Sequence, residues 1–266
     1  MTGSLGKMTK TFVIGSVCLL TAAGSVLADE DKPTADLTVS ALSQYVWRGF
    51  ALSKDSIVIQ PSMTVGYKGF AANLWGNLDT DVWNSDGEDS NNWTETDLTL
   101  SYDYALGPVA LTGGYIYYAL DAATDTQEIY VSAGYDTLLS PTLTVYRDID
   151  HYAGWYVTLD VSHSFPIKND ITLDLGAKVS YLSADDASSY ADPSNPTDNY
   201  SNFHDGVLSA AVTIPVNQYI SVSPQVYYSF PLSSDAKDRL KADNMSVIGR
   251  SDATFVYGGV AMSLAF

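Results

Sequence analysis

Apolar and polar side chains alternate along most of the chain after residue 28, in twelve stretches at approximately 36–48, 56–67, 69–78, 93–104, 108–120, 126–136, 141–149, 152–165, 170–182, 203–214, 218–230 and 252–266. A period of two is that of a β-strand whose two faces meet different surroundings. In 93–104, Thr94, Thr96, Leu98, Leu100, Tyr102 and Tyr104 alternate with Glu95, Asp97, Thr99, Ser101 and Asp103. Three carboxylates along one side of a strand cannot lie unpaired in a packed core, so that side must meet water. The stretch 170–182 repeats the logic, with Ile171, Leu173, Leu175, Ala177, Val179 and Tyr181 set against Thr172, Asp174, Gly176, Lys178 and Ser180. The alternation runs to ten residues or more in many stretches, against about five or six for an ordinary strand. That length crosses a bilayer at a tilt. No stretch after residue 28 has the roughly 20 apolar residues of a spanning helix, and none shows a sustained period near 3.6. The pattern predicts an all-β protein, a single antiparallel transmembrane β-barrel of about 12 strands occupying 29–266.

The links between stretches agree. Those at Tyr67–Gly69, Leu106–Pro108, Thr137–Pro141, Pro166–Asp170 and Pro215–Asn217 are short, whereas 79–92, 183–202 and 231–251 are long, the first two acidic and the third of mixed charge. Short turns at one end and long loops at the other are the habit of membrane barrels. Both chain ends are thereby predicted on the short-turn, periplasmic side. Aromatics collect near both ends of the strands: Tyr67, Phe70, Tyr102, Tyr104, Tyr135, Phe165 and Phe266 by the turns, and Tyr45, Trp47, Trp93, Tyr117, Trp155, Tyr181, Phe203 and Phe230 by the loops. Two girdles are expected where rings meet two membrane interfaces. In the last stretch Phe266, Leu264, Met262, Val260 and Val256 share one parity. A final strand ending on an aromatic residue resembles the signal by which barrel-assembly machinery recognises outer-membrane proteins, so Phe266, Leu264 and Met262 are the candidate insertion signal.

The first 28 residues set the compartment. Lys7 and Lys10 precede the apolar run 11–28, which ends Ser25-Val26-Leu27-Ala28 before Asp29. This is the form of a signal peptide cut after Ala28. The sole cysteine, Cys18, lies within it, so no disulfide framework is expected in the exported part. With 31 acidic and 13 basic residues the formal charge is −18, and loss of Lys7 and Lys10 makes it more negative. That balance argues against nucleic acid as a partner, while 46% hydrophobic residues and 19 tyrosines argue against a disordered acidic chain.

Tyr45-Val46-Trp47-Arg48-Gly49-Phe50, Ile59-Gln60-Pro61, Gly69-Phe70 and Leu74-Trp75-Gly76-Asn77 resemble the opening signature of the TorF-like porin family, also called the Gcw_chp family, of proteobacteria. The matched block covers roughly residues 40–78. The resemblance implies an outer-membrane barrel that passes small solutes and brings no catalytic or ligand residues with it. On the residues themselves, Arg48 shares the parity of Ser40, Leu42, Gln44 and Val46, opposite Leu37, Val39, Ala41, Tyr45 and Trp47. It is therefore predicted to point into the barrel near its outer mouth, matched to inward carboxylates such as Glu95, Asp97 or Asp160. Either a charge that filters solutes or a structural pair would suit that position.

Other chemistries are poorly supported. A Ser-His-Asp hydrolase needs a nucleophile, a base and an orienting acid in reach, yet His163 lies at the periplasmic end, His151 has carboxylates but no serine near it in sequence, and His204 lies beside Asp205. Asp79, Asp81, Asp86, Glu88 and Asp89 are ligands calcium would accept, but they lack the spacing of a calcium loop and read as a solvated acidic loop. No cofactor motif is present. The expectation is a porin of a Gram-negative outer membrane, not an enzyme, in contact with outer-membrane lipid and passing small hydrophilic solutes by diffusion. The candidate lumen residues are Arg48, Glu95, Asp97, Asp103, Glu128, Asp160, Asp174 and Lys178, with Asp136 and Lys68 assigned to the same face and Arg147 a further candidate for it. Their acidic excess predicts a preference for cationic or zwitterionic solutes. Tyr130, Tyr146, Tyr156 and Tyr227 share the lumen parity, which leaves a plugged, non-conducting structural or surface-interaction barrel as the second reading.

Overall fold

The computed structural model describes residues 32–82, 91–121 and 123–266. The predicted leader and Asp86, Glu88 and Asp89 lie outside the described residues. Twelve strands close into one antiparallel barrel. They are β1 (Thr34–Leu42), β4 (Val58–Tyr67), β5 (Phe70–Asp79), β6 (Asn92–Leu106), β7 (Val109–Leu120), β8 (Thr126–Tyr135), β9 (Thr142–Asp148), β10 (Gly154–Lys168), β11 (Ile171–Ala184), β12 (Ser201–Pro215), β13 (Ile220–Pro231) and β14 (Phe255–Ala265). Each pairs with its sequence neighbour, and β1 closes the ring by pairing β4 on one side and β14 on the other, with Leu37 opposite both Met63 and Leu264. Closure leaves no strand edge unpaired.

The two faces separate as the alternation predicts. Leu98, Leu100, Tyr102 and Tyr104 of β6 are exposed, whereas Glu95, Asp97 and Thr99 are buried inside. Met262 and Val260 of β14 are likewise exposed on the outer wall. Such a continuous apolar exterior around a polar interior suits lipid outside the barrel. Turn chemistry fixes the register at the short end. Lys68 and Gly69 between β4 and β5, and Asn169 and Asp170 between β10 and β11, all have positive φ, the conformation that two-residue hairpins require. At Gly69 a side chain would meet the Asp103 carbonyl at 2.8 Å.

Two elements depart from the sequence expectation. The first predicted strand does not continue to residue 48: β1 stops at Leu42, and the chain turns inward into a small hairpin of β2 (Val46–Trp47) and β3 (Phe50–Ala51). Its turn is Arg48-Gly49, with φ of 49° and 80°. Tyr45, assigned above to the outer aromatic girdle, is instead 2% exposed, and Trp47 packs beside buried Tyr118. The parity rule fails there because the strand had already ended.

The second is a helix, α1 (Ser234–Ile248), in the stretch read as a long loop. Ser233 caps it, its side chain accepting from the Ala236 amide, and Gly249 ends it in the left-handed conformation with its N–H bonded to the Met245 carbonyl. The buried face is one residue wide, Ala236, Leu240, Asn244 and Ile248 at intervals of four. So narrow a stripe, with an asparagine in it, gives little helical periodicity. It packs on the hairpin: Leu240 clusters with Phe50, Ile248 with Val46 and Ala51, and the Asn244 side chain accepts from the Ala51 amide at 2.9 Å.

Candidate functional site: the occupied mouth of the barrel

The hairpin delivers Arg48 to the inner wall at a level set by strand register. Tyr130 of β8, Tyr146 of β9 and Tyr156 of β10 stand opposite one another in the ladder, with ring centroids 5.6 and 6.0 Å apart. Glu128, two residues along β8, faces the same interior. The Arg48 guanidinium donates to both its carboxylate oxygens, at 2.8 and 2.7 Å, and the Tyr118 hydroxyl donates to Oε2 at 2.9 Å. Aromatic rings enclose the cation, with centroids at 4.2 Å for Tyr156, 4.3 Å for Trp47 and 5.2 Å for Tyr146. Bidentate pairing and ring stacking both exploit the planar guanidinium. Burial works against the charge of Arg48, but the Glu128 carboxylate, together with the Tyr118 and Tyr156 phenols, more than offsets it and raises the guanidinium well above the ordinary arginine value.

A second ion pair lies next to the first. Lys178 Nζ is 3.0 Å from Asp205 Oδ2, with side chains 7% and 0% exposed. The Tyr156 hydroxyl donates to Asp205 Oδ1 at 2.7 Å and accepts from Lys178 at 3.0 Å. Ser180 donates to Asp205 Oδ1 at 2.5 Å. A bulge makes this possible: between the pairs Val179–Gly206 and Tyr181–Phe203, both His204 and Asp205 face Ser180 alone. Both are fully buried, although strict alternation would send one of them to the lipid. His204 Nε2 lies 3.0 Å from the Arg48 carbonyl and Nδ1 lies 3.0 Å from the Tyr200 hydroxyl. A carbonyl can only accept, so Nε2 carries the proton and Nδ1 accepts from Tyr200.

The structure thus pairs Arg48 with Glu128, not with Glu95, Asp97 or Asp160. Glu95 instead accepts from the Tyr45 hydroxyl at 3.0 Å, and Asp97 is buried beside it on the same inner face. Asp160 stands opposite Lys178 in the ladder and accepts from Thr158 at 2.7 Å. Toward the short turns, Asp103 accepts from Thr112 at 2.6 Å, and Asp174 accepts from Ser164 and Thr213. Arg147, grouped above with the lumen cations, is excluded from them: it lies on the outer parity of β9, clasps Asp185 and stacks 5.0 Å from Trp155. Lys68 is in a turn and Asp136 follows the end of β8. Of the insertion residues, Met262 and Phe266 are exposed outside, and Phe266 stacks on Tyr219 at 5.9 Å.

The other two histidines stand apart from this cluster. His163 Nδ1 is 2.6 Å from the Leu138 carbonyl and its ring meets Phe165 edge-on, whereas His151 lies 3.2 Å from Asp150. Asp79 faces inward, 2% exposed, and accepts from the Asp81 amide at 3.1 Å. Sequence reasoning placed the four lumen tyrosines but missed Trp47, Tyr118, Asp205 and α1 as parts of the mouth. The Ser233 cap and Gly249 were legible signals for the helix; nothing in the alternation marked the bulge.

No family model and no curated protein matches the sequence. Among solved structures the chain is similar to the KdgM porin, with 11% identity and a TM-score of 0.52 over 87% of this chain and 99% of that one. It is similar also to the NanC porin, with 12% identity and a TM-score of 0.54 over 86% of this chain and 98% of that one. At such identities the likeness is one of fold, and the chain has a porin-like closed β-barrel.

Proposed function

We propose that this chain is an outer-membrane channel of the porin type, exported by its leader and inserted through its last strand, that passes small hydrophilic solutes with a preference for cations. The observation that carries the reading is the charge of the inner wall. Once Arg48 is matched to Glu128 and Lys178 to Asp205, the inner face still carries the carboxyl groups of Asp103, Asp160 and Asp174 beside the Glu95–Asp97 cluster. An excess of one sign in a confined passage raises the local concentration of the other. The resemblance of residues 40–78 to TorF-like porins and the barrel shared with the KdgM and NanC porins support the channel part of this reading.

A second reading, a plugged structural barrel, is favoured by the burial of the mouth. Tyr130, Tyr146, Tyr156 and Tyr227 are each no more than 5% exposed, and the hairpin lies among them. Purified protein in a planar bilayer under a potassium chloride gradient separates the two. The channel reading expects conductance with a reversal potential of cation sign; silence promotes the plugged barrel, and an anion-sign potential overturns the charge argument.

A further inference from the structure

The wall around Arg48 is a receptor for a guanidinium, and the residue that fills it does not belong to the wall. Glu128, Tyr118, Tyr146 and Tyr156 sit on β8, β7, β9 and β10, neighbouring strands fixed by the ladder. They supply a carboxylate with both oxygens presented to two N–H groups, a hydroxyl that orients that carboxylate, and two ring faces. Arg48 reaches them from a two-residue turn.

We propose that this pocket is a guanidinium-binding site at the outer mouth, held at rest by Arg48 and open by exchange to an incoming solute that carries the same group, an alkylguanidine or an arginine side chain. The inference deepens the cation reading above, on which its consequence for transport rests; the site itself stands on the geometry. Exchange needs only the side chain to move. The turn is pinned independently, by His204 at the Arg48 carbonyl and by Asn244 at the Ala51 amide, so the guanidinium can swing away with its backbone in place. Its side chain is 10% exposed against 3% for Glu128, so both are buried and the cation is the less enclosed member of the pair. An empty pocket would leave a buried carboxylate without its cation, which is unfavourable. Arg48 is therefore replaced by a like cation more readily than it is lost. Shape sets the selectivity: a planar fork satisfies both oxygens and lies flat on the rings, whereas an ammonium is a point charge that does neither.

The test is chemical complementation of Arg48→Ala with n-propylguanidinium chloride, the equivalent of the whole arginine side chain from Cβ outward. Thermal unfolding of the refolded barrel is followed by the loss of heat-modifiable mobility. Millimolar n-propylguanidinium should raise the unfolding temperature of R48A in a saturable way. n-Propylammonium should need roughly tenfold more, potassium at equal ionic strength should give no saturable rise, and the rise should vanish in R48A/E128Q. Equal effects of all three cations, or a rise that survives Glu128→Gln, overturn the site. Should R48A not refold, the wild-type barrel gives the answer through block of its conductance from the outer side: n-propylguanidinium about tenfold more potent than n-propylammonium supports the site, and equal potency overturns it. A wild type that is silent while R48A binds n-propylguanidinium refutes the channel and keeps the site. A conducting wild type together with an R48A that shows no guanidinium preference does the reverse.

Discussion

Tyr156 touches Arg48 with its ring, 4.2 Å from the guanidinium carbon to the ring centroid, while its hydroxyl donates to Asp205 at 2.7 Å. One side chain thereby couples the ion pair that seats the hairpin to the ion pair that belongs to the wall. Buried ion pairs add little net stability unless their remaining lone pairs and protons are satisfied, and here the phenol donates to Asp205 Oδ1 and accepts from Lys178, while Oδ2 has only the Lys178 charge at 3.0 Å.

Tyr156→Phe is therefore expected to separate the two functions of that side chain. The ring stays under Arg48, but Asp205 loses a donor and Lys178 an acceptor in a site closed to water. Losing a hydrogen bond to a buried charge costs about 1.5–3 kcal/mol. Urea unfolding should show Y156F destabilised by that order, with the guanidinium preference of R48A/Y156F unchanged from R48A. A preference lost along with the hydroxyl would mean that the wall pair, not the ring, shapes the mouth.

Alternation made the barrel legible wherever a strand lay between lipid and water. Leu98 and Asp97 could be assigned to opposite faces from sequence because no neighbour can reverse a side chain inside a regular ladder. The rule was silent where the ladder ended or slipped. Arg48 was placed inside for a reason that does not hold, since its strand stops at Leu42, and its carboxylate partner comes from β8, a pairing across 80 residues that no local pattern encodes. His204 and Asp205 face the same way only because of the bulge opposite Ser180. The helix was written in its caps, Ser233 and Gly249, rather than in its faces.

The caps give a prediction about the cover of the mouth. Ser233→Ala removes the acceptor for the Ala236 amide, and such a cap is worth about 1 kcal/mol. Because α1 holds the hairpin through Leu240, Asn244 and Ile248, weakening it should show first in that region. Limited proteolysis at the basic sites Lys237, Arg239 and Lys241 should be several-fold faster in S233A, with the strands resistant throughout. Uniform sensitivity would show that α1 does not open separately.

The outer wall is tested by charge. Leu100 lies exposed near the middle of β6, opposite Ala72 and Tyr115, and Leu264 lies near the end of β14 opposite Leu37 and Ile220. Arginine on a lipid face costs about 2–4 kcal/mol at the bilayer midplane and much less near an interface. Leu100→Arg should thus lower the heat-modifiable fraction after folding into vesicles more than Leu264→Arg does. In cells the order should invert for Leu264→Asp if the last strand is the insertion signal. Equal tolerance of L100R in vesicles would mean that β6 does not face lipid.

Charge in the short-turn half of the lumen should govern ion preference. Asp103 and Asp174 are half-buried there, each with hydroxyl partners, whereas Glu128 and Asp205 are already matched by cations. Asp103→Asn with Asp174→Asn removes two unmatched charges and keeps both side-chain shapes, so folding should be little changed while the cation preference falls. The same preference should fall in the wild type as salt rises, because the screening length shrinks from about 10 Å at 0.1 M to about 3 Å at 1 M. Reversal potentials measured at the two salt levels decide it. If the double variant keeps the wild-type preference at 0.1 M, the selectivity comes from the mouth, and the hairpin with Arg48 becomes the element to change.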